Sequence, residues 1–163
     1  MKLTLILIYK DMKKLLFVCL GNICRSPTAQ AVFDWKLGEA GLQMDTDSAG
    51  TSGYHAGNPP DPRSQEIGRG WGLDMSDQRA RQVVDEDFER FDVIYAMDRS
   101  NLQALRERCP AVHRDKVRLI MELAPDYGLE EVPDPYYGGE DGFRQVVDML
   151  VAAAERFVEE HSA

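Results

Sequence analysis

A thiol, five intervening residues, a guanidinium and then a hydroxyl stand together in Cys19-Leu20-Gly21-Asn22-Ile23-Cys24-Arg25-Ser26. A loop entering a helix can aim successive backbone N–H groups into one concavity, and the helix dipole adds positive potential there. Such a cradle suits phosphate or another oxyanion. Gly21 and Asn22 are residue types that tolerate the unusual φ/ψ a cradle needs. Arg25 can fork two N–H groups onto two oxyanion oxygens and keeps its charge throughout. A thiol in that setting is depressed from about 8.5 into the range of about 3.5–7.5. The reading is therefore a Cys19 thiolate beneath a bound phosphorus, with Ser26 donating a hydrogen bond to it. A cysteine at a strand end is most often inert core. Here the Cys-x5-Arg run lies between an apolar run and a Ser-Pro dipeptide, which favours chemistry.

A thiolate expels an alkoxide or aryloxide poorly unless the leaving oxygen receives a proton, so a general acid is required. Asp134, in Asp134-Pro135-Tyr136-Tyr137, is the best candidate, and Pro135 restricts its backbone to extended conformations. Asp126, Glu130, Glu131 and Asp141 on the same irregular stretch compete with it, and spacing alone does not separate them.

The positioning elements follow from pattern. Lys14 to Cys19 is a continuous apolar run, suited to a strand buried on both faces of a parallel sheet. Ser26-Pro27 reads as N-cap and first position of a helix carrying Ala29, Val32, Phe33 and Leu37 inward and stopping at Gly41. A weaker strand is expected near Met44 to Ala49, then a long Gly/Pro-rich loop from Gly50 to Pro62. Asp61-Pro62 caps a short helix ending near Gly70 or Gly72. Ser76 to Val84 and Glu86 to Phe91 read as short helical pieces. Strands are expected over Asp92 to Met97 and Val117 to Met121, with a helix over Ser100 to Cys109 between them. Ala124 to Gly142 is irregular, and Phe143, Val146, Val147, Leu150, Val151, Ala154, Phe157 and Val158 mark a closing helix. Strand–helix alternation predicts an α/β sandwich with a parallel sheet, whose ligands sit beyond the carboxyl ends of the strands.

At 163 residues the chain is sized for one domain. Nineteen Lys and Arg against 28 Asp and Glu leave a net charge of −9, which argues against a nucleic-acid or anionic-membrane binder. Any anion must be held by a local device against that field. Three cysteines do not make a secreted disulfide framework, so a reducing, cytoplasmic setting is expected. His55, His113 and His161 are scattered and suggest no metal cluster. Leu3 to Tyr9 is apolar but too short to span a membrane, and no small-residue cleavage site follows it. Residues 1–12 are read as an N-terminal extension, an upstream start before Met12 or an extra edge strand. Residues 13–163 form the single domain.

The run Val18 to Pro27 resembles the signature of low-molecular-weight protein tyrosine phosphatases, and Asp134-Pro135-Tyr136-Tyr137 resembles that family's second hallmark. Weaker similarities are Asp47-Ser48-Ala49-Gly50-Thr51, Asn58-Pro59-Pro60-Asp61, Ala80-Arg81-Gln82 and Met97-Asp98-Arg99-Ser100-Asn101-Leu102, in the family's order. The resemblance implies a three-layer sandwich with a four-stranded parallel sheet flanked by helices. It implies no metal and no cofactor. Cys19 becomes the nucleophile of a cysteinyl-phosphate mechanism, Arg25 the phosphate clamp, and Asp134 the acid and then the base. Ser26 supports the thiolate and Asn22 holds the loop's shape. It implies a phosphotyrosine-containing protein as substrate, a tyrosine kinase among the candidates. Many members carry a His just before the Ala-Arg-Gln, bracing the loop Asn; this chain has Gln78 there, which can still supply a hydrogen bond.

Tyr54, Tyr136 and Tyr137 can wall a slot above the phosphate, with Leu20 and Ile23 on its floor or rim, and aromatic walls favour a flat aryl ring. Gly21 and Cys24 complete the expected binding loop. A low-pKa thiolate beside a second thiol is the arrangement of a reversible redox sensor, and the resemblance supports a Cys19–Cys24 disulfide under oxidation. Arsenate reduction uses a similar loop but needs a relay of further cysteines, and only Cys109 remains. A catalytically dead phosphotyrosine-binding module would have no use for Cys19, Arg25 and Asp134 together. A nucleotide-binding loop would end in Gly-Lys-Ser/Thr, absent here.

Overall fold

The alternation of side chains along β1 (Lys14–Cys19) organises the molecule. Leu15, Phe17 and Cys19 enter one buried cluster, while Leu16 and Val18 enter another on the opposite face. The computed structural model describes residues 12–162, so all but the last residue of the expected extension over 1–12 lies outside the described residues. β2 (Asp45–Gly50), β3 (Val93–Ala96) and β4 (Val117–Leu119) complete a four-stranded sheet in the order β2-β1-β3-β4, with every pair parallel. The first face is covered by α1 (Arg25–Glu39) and α5 (Glu140–His161), whose Phe33 and Phe157 rings meet edge-on with centroids 5.5 Å apart. The second face holds Phe88 of α3 (Asp87–Arg90) and Leu105 of α4 (Arg99–Arg108). This is the three-layer α/β sandwich. Each fully buried Phe or Leu contributes about 1.5–3 kcal/mol of apolar transfer.

β1 lies between β2 and β3, so the chain leaves it in one direction and later returns on the other side. The crevice at its carboxyl end is where such a sheet holds a ligand. β2 continues its pairing beyond Gly50: Thr51 donates to the Cys19 carbonyl and Ser52 to the Leu20 carbonyl, each at 2.9 Å. A Cβ at Gly50 would stand 2.7 Å from the Leu20 carbonyl oxygen, so glycine permits this close approach.

α2 (Pro62–Gly70) begins as expected, with the Asp61 carboxylate accepting from the Arg63 N–H at 2.8 Å. The α1 start differs. Its N-cap is Cys24, and Pro27 is the third helical residue rather than the first. Ser26 does not cap because its hydroxyl is turned back to Cys19, as described below. The helix expected over Ser76 to Val84 is instead turns and extended chain, bridged in parallel to Gly50 at Gln82. Backbone bonds to Gly50 from both sides of Gln82 outweigh its helical spacing. β4 stops at Leu119, and a 3-10 segment takes over at Ile120. Trp35 of α1 and Trp71 just after α2 pack edge-on, 6.2 Å between centroids. Among the described residues no helix is long and apolar enough to cross a membrane.

Candidate active site

Cys19 ends β1 as a buried residue, and the chain turns around its sulfur. The Asn22 N–H points at Cys19 Sγ from 3.3 Å, and Ser26 Oγ lies 3.0 Å from it. Asn22 has φ 57° and is the one non-glycine residue with positive φ among the described residues. That left-handed residue folds the loop back into a concavity. Its side chain is fully engaged: Nδ2 donates to Ser26 Oγ at 2.7 Å and to Ser48 Oγ at 2.9 Å, and Oδ1 accepts from the Arg81 N–H at 3.0 Å. The Ala49 carbonyl, 3.3 Å from Ser26 Oγ, accepts its single proton when the Cys19 thiol is the donor to Ser26, and the proton turns to the sulfur when Cys19 is a thiolate. Satisfied buried networks of this kind hold one geometry, because each unpaired member would be costly.

Arg25 follows in the first turn of α1 and is only 2% exposed. Its Nη1 donates to Asp98 at 2.6 Å and to the Val132 carbonyl at 3.0 Å, while Nη2 lies 3.7 Å from Asp134. Burial opposes the guanidinium's charge, but the negative groups of Cys19, Asp98 and Asp134 outweigh it and hold Arg25 above its ordinary value. The cation is permanent in this setting.

These groups open onto a cavity of about 490 Å³ lined by Cys19, Leu20, Gly21, Ile23, Cys24, Arg25, Ser52, Tyr54, His55, Asp134, Tyr136 and Tyr137. Cys19, Arg25 and Asp134 thus share one cavity, as the sequence reading expects. Leu20, Gly21, Ile23, Cys24, Tyr54 and Tyr136 line it too. Asn22 and Ser26 stand behind the wall, with side chains toward the sulfur and the β2 edge rather than the cavity. Tyr54 and Tyr137 project outward at 86% and 95% exposure, while Tyr136 is braced by the Arg63 guanidinium 5.5 Å over its ring. Tyr136 and Tyr137 meet edge-on at 4.9 Å.

Four features lie beyond the sequence reading. Ser52 and His55 join the cavity from the loop after β2, and His55 packs edge-on against Tyr54 at 4.8 Å. Asp98 orients Arg25 while its other oxygen caps α4 by accepting from Asn101 at 2.7 Å. Its place after the carboxyl end of β3 was the available signal. Gln78 does not brace Asn22; its Nε2 donates to the Pro27 carbonyl at 3.0 Å, and Ser48 with Arg81 supplies the brace instead.

The rivals of Asp134 are elsewhere. Glu130 pairs with the Arg99 side chain, Glu131 accepts the Arg99 N–H, Asp126 lines a different cavity near α5, and Asp141 is in the exposed first turn of α5. Cys109 is buried in the cluster on the opposite face of the sheet, so it cannot relay with Cys19. Cys24 lines the cavity, and burial, with Asp61 and Cys19 adding to it, pushes its thiol up to about 12.

A thiol cupped by backbone and hydroxyl donors, with a buried arginine and a carboxylate across the cavity, is a site for phosphoryl transfer to sulfur. Residues 14–162 match the family described as low molecular weight phosphotyrosine protein phosphatase. The low molecular weight phosphotyrosine protein phosphatase of Schizosaccharomyces pombe is 45% identical over 148 residues, covering 89% of this chain and 94% of its own. That of Homo sapiens is 42% identical over 152 residues, covering 90% and 94%. A crystal structure of a protein tyrosine phosphatase from Entamoeba histolytica, with Hepes in its active site, superposes with a TM-score of 0.88 at 43% identity, covering 90% of this chain and 95% of that one. The chain belongs to the low molecular weight phosphotyrosine protein phosphatase family and is a protein-tyrosine phosphatase, a hydrolase of phosphoric monoesters.

Proposed function

We propose that the chain hydrolyses phosphotyrosine in proteins through a covalent cysteinyl-phosphate intermediate, with Cys19 as nucleophile, Arg25 as clamp and Asp134 as acid and base. The observation that carries this reading is the convergence of Cys19, Arg25 and Asp134 on one aromatic-walled cavity. The Cys19 sulfur attacks phosphorus as the ester P–O bond breaks, and the electron pair goes to the phenolic oxygen. Asp134 gives that oxygen its proton. Arg25, oriented by Asp98 and the Val132 carbonyl, neutralises charge on the transferring oxygens. Asp134, now a carboxylate, takes a proton from water as the water oxygen attacks phosphorus. The S–P bond breaks, inorganic phosphate leaves, and the returning thiolate is met by the Ser26 hydroxyl and the Asn22 N–H.

Leu20, Gly21, Ile23 and Cys24 line the anion cradle in this scheme, while Asn22 and Ser26 act from behind it. Tyr54 and Tyr136 would flank the aryl ring of the substrate, which favours phosphotyrosine over the shorter phosphoserine. A cytoplasmic setting, a tyrosine kinase among the substrates and a reversible Cys19–Cys24 disulfide belong to the same proposal. For the disulfide, peroxide oxidises Cys19 to the sulfenic acid, and the Cys24 thiol displaces water from it. The test of function is turnover of phenyl phosphate and of a phosphotyrosine peptide by the intact protein, followed by capture of phosphoproteins with Asp134→Ala. Failure to hydrolyse either compound at micromolar enzyme would overturn the reading.

A further inference from the structure

Arg81 does not line the cavity, yet two of the three groups that hold Asn22 trace to its side chain. Its guanidinium joins β2 to α3. Nε and Nη2 donate to Asp47 Oδ2 at 3.2 and 3.0 Å. Nη1 and Nη2 donate to Asp87 Oδ2 and Oδ1 at 2.9 and 3.1 Å. Asp87 is fully buried and also accepts the Val84 N–H at 2.9 Å. The other oxygen of Asp47 accepts the Ser48 N–H at 2.8 Å. The fork therefore fixes both neighbours of Asn22. The Arg81 N–H holds Asn22 Oδ1, and Ser48, set by Asp47, holds Asn22 Nδ2. Backbone bonds to Gly50 and Asn58 tie the segment to its neighbours at Ala80, Arg81 and Val83, and the side-chain clamp adds the link that joins it to both Asp47 and Asp87.

We propose that Arg81 is a positioning residue for the anion cradle: its fork onto Asp47 and Asp87 fixes the two groups that hold Asn22, and through Asn22 the N–H and hydroxyl that face the Cys19 sulfur. The proposal rests on the phosphatase reading for its kinetic consequence. Paired carboxylates on two sides of one planar guanidinium need arginine, since an ammonium is a single point charge. A clamp that served the fold alone would change melting and leave the kinetics of the folded protein untouched.

The test compares Arg81→Met, Arg81→Lys and Asp47→Asn with the parent protein at a temperature where circular dichroism shows each fully folded. kcat and KM for phenyl phosphate, and affinity for inorganic phosphate by calorimetry, are measured. Arg81→Met should lose about 10²-fold in kcat, the scale of a small misplacement transmitted from a distance. It should also bind phosphate more weakly. Arg81→Lys should remain impaired, and Asp47→Asn should show a smaller loss in the same direction. In an Asn22→Gly background, which keeps the left-handed backbone but removes the side chain, Arg81→Met should add little further loss. Parent-like kcat and phosphate affinity in folded Arg81→Met, or fully additive losses in the double variant, would overturn the proposal. If Arg81→Met does not fold, unchanged kcat in both Arg81→Lys and Asp47→Asn overturns it. If the parent hydrolyses no aryl phosphate, the functional reading fails instead, and phosphate affinity across the variants still decides the role of Arg81.

Discussion

The loop after β1 and the loop before α5 face each other across one cavity, but they are held in opposite ways. Around Cys19 the polar side chains of Asn22, Arg25 and Ser26 are buried and bonded to Ser48 and Ala49 of β2, to Asp98 at the start of α4, to Val132 and to the Arg81 N–H. Around Asp134 the holds are few. The Asp134 side chain is 41% exposed and accepts only the local Tyr136 N–H at 3.0 Å, while Arg25 stands 3.7 Å away. The nearest anchors upstream are at Val132, which donates to the Met97 carbonyl just after β3 and accepts from Arg25 of α1. The lesson is a division of labour. Under the proposed mechanism, stabilising developing charge requires donors fixed in advance, whereas a proton donor that meets leaving groups of different size can ride on a looser segment.

The sharpest way to break this comparison is Cys19→Ser. Turnover should vanish while the fold and phosphate binding survive, and substantial remaining hydrolysis of phenyl phosphate would remove Cys19 from the mechanism. Asp134→Asn comes next. Its loss should reach about 10²–10⁴-fold for phosphotyrosine-like esters, whose leaving oxygen needs a proton. It should be visibly smaller for a nitrophenyl ester, whose anion leaves unaided. A uniform small loss across leaving groups in single-turnover measurements would make Asp134 a turn residue. Arg25→Lys, by contrast, should cost about 10²–10³-fold whatever the leaving group, since it removes a fork and not a proton.

Stability should divide along the same line. Asn22→Ala places a residue without a polar side chain at φ 57° and leaves the half-buried Arg81 N–H and the buried Ser26 and Ser48 hydroxyls without their partner, for a loss of about 2–3 kcal/mol in urea unfolding. Tyr137→Ala, at 95% exposure, should stay within about 0.5 kcal/mol. Equal losses would erase the contrast. At alkaline pH the contrast extends to Cys24. Folded, its thiol keeps its proton to about 12, against 9.0 ordinarily, so the unfolded chain releases that proton first as pH rises. Stability should therefore fall between about pH 9 and about pH 12, and Cys24→Ser should show a shallower fall there.

What was legible in the sequence divides by distance along the chain. β1, the loop and α1 are contiguous, so apolar run, Cys-x5-Arg and helix start could be read together. The Asn22 brace could not, because Ser48 and Arg81 lie 26 and 59 residues away. The same distance explains the misread Ser76 to Val84 segment, whose extended path is dictated by Gly50 and Asp87. Ser26 looked like a cap because serine favours that place, but the sulfur competes for its hydroxyl. Asp134 could not be separated from Asp126, Glu130, Glu131 and Asp141 by spacing, and only the family resemblance singled it out. In space the separation is plain, since of these five only Asp134 lines the cavity.

The Trp35–Trp71 pair gives the molecule an optical division. These are the chain's two tryptophans, and they sit together at the far side of α1. Trp35 is ten residues along that helix from Arg25, a rise of about 15 Å. The cavity's own chromophores are tyrosines, Tyr54, Tyr136 and Tyr137. Emission excited at the red edge therefore watches whether α1 and α2 stay together and is blind to an occupied cavity. Three of the six tyrosines line the cavity, so a tyrosine-region difference absorbance that moves while this emission stays constant reports an occupied cavity and not unfolding.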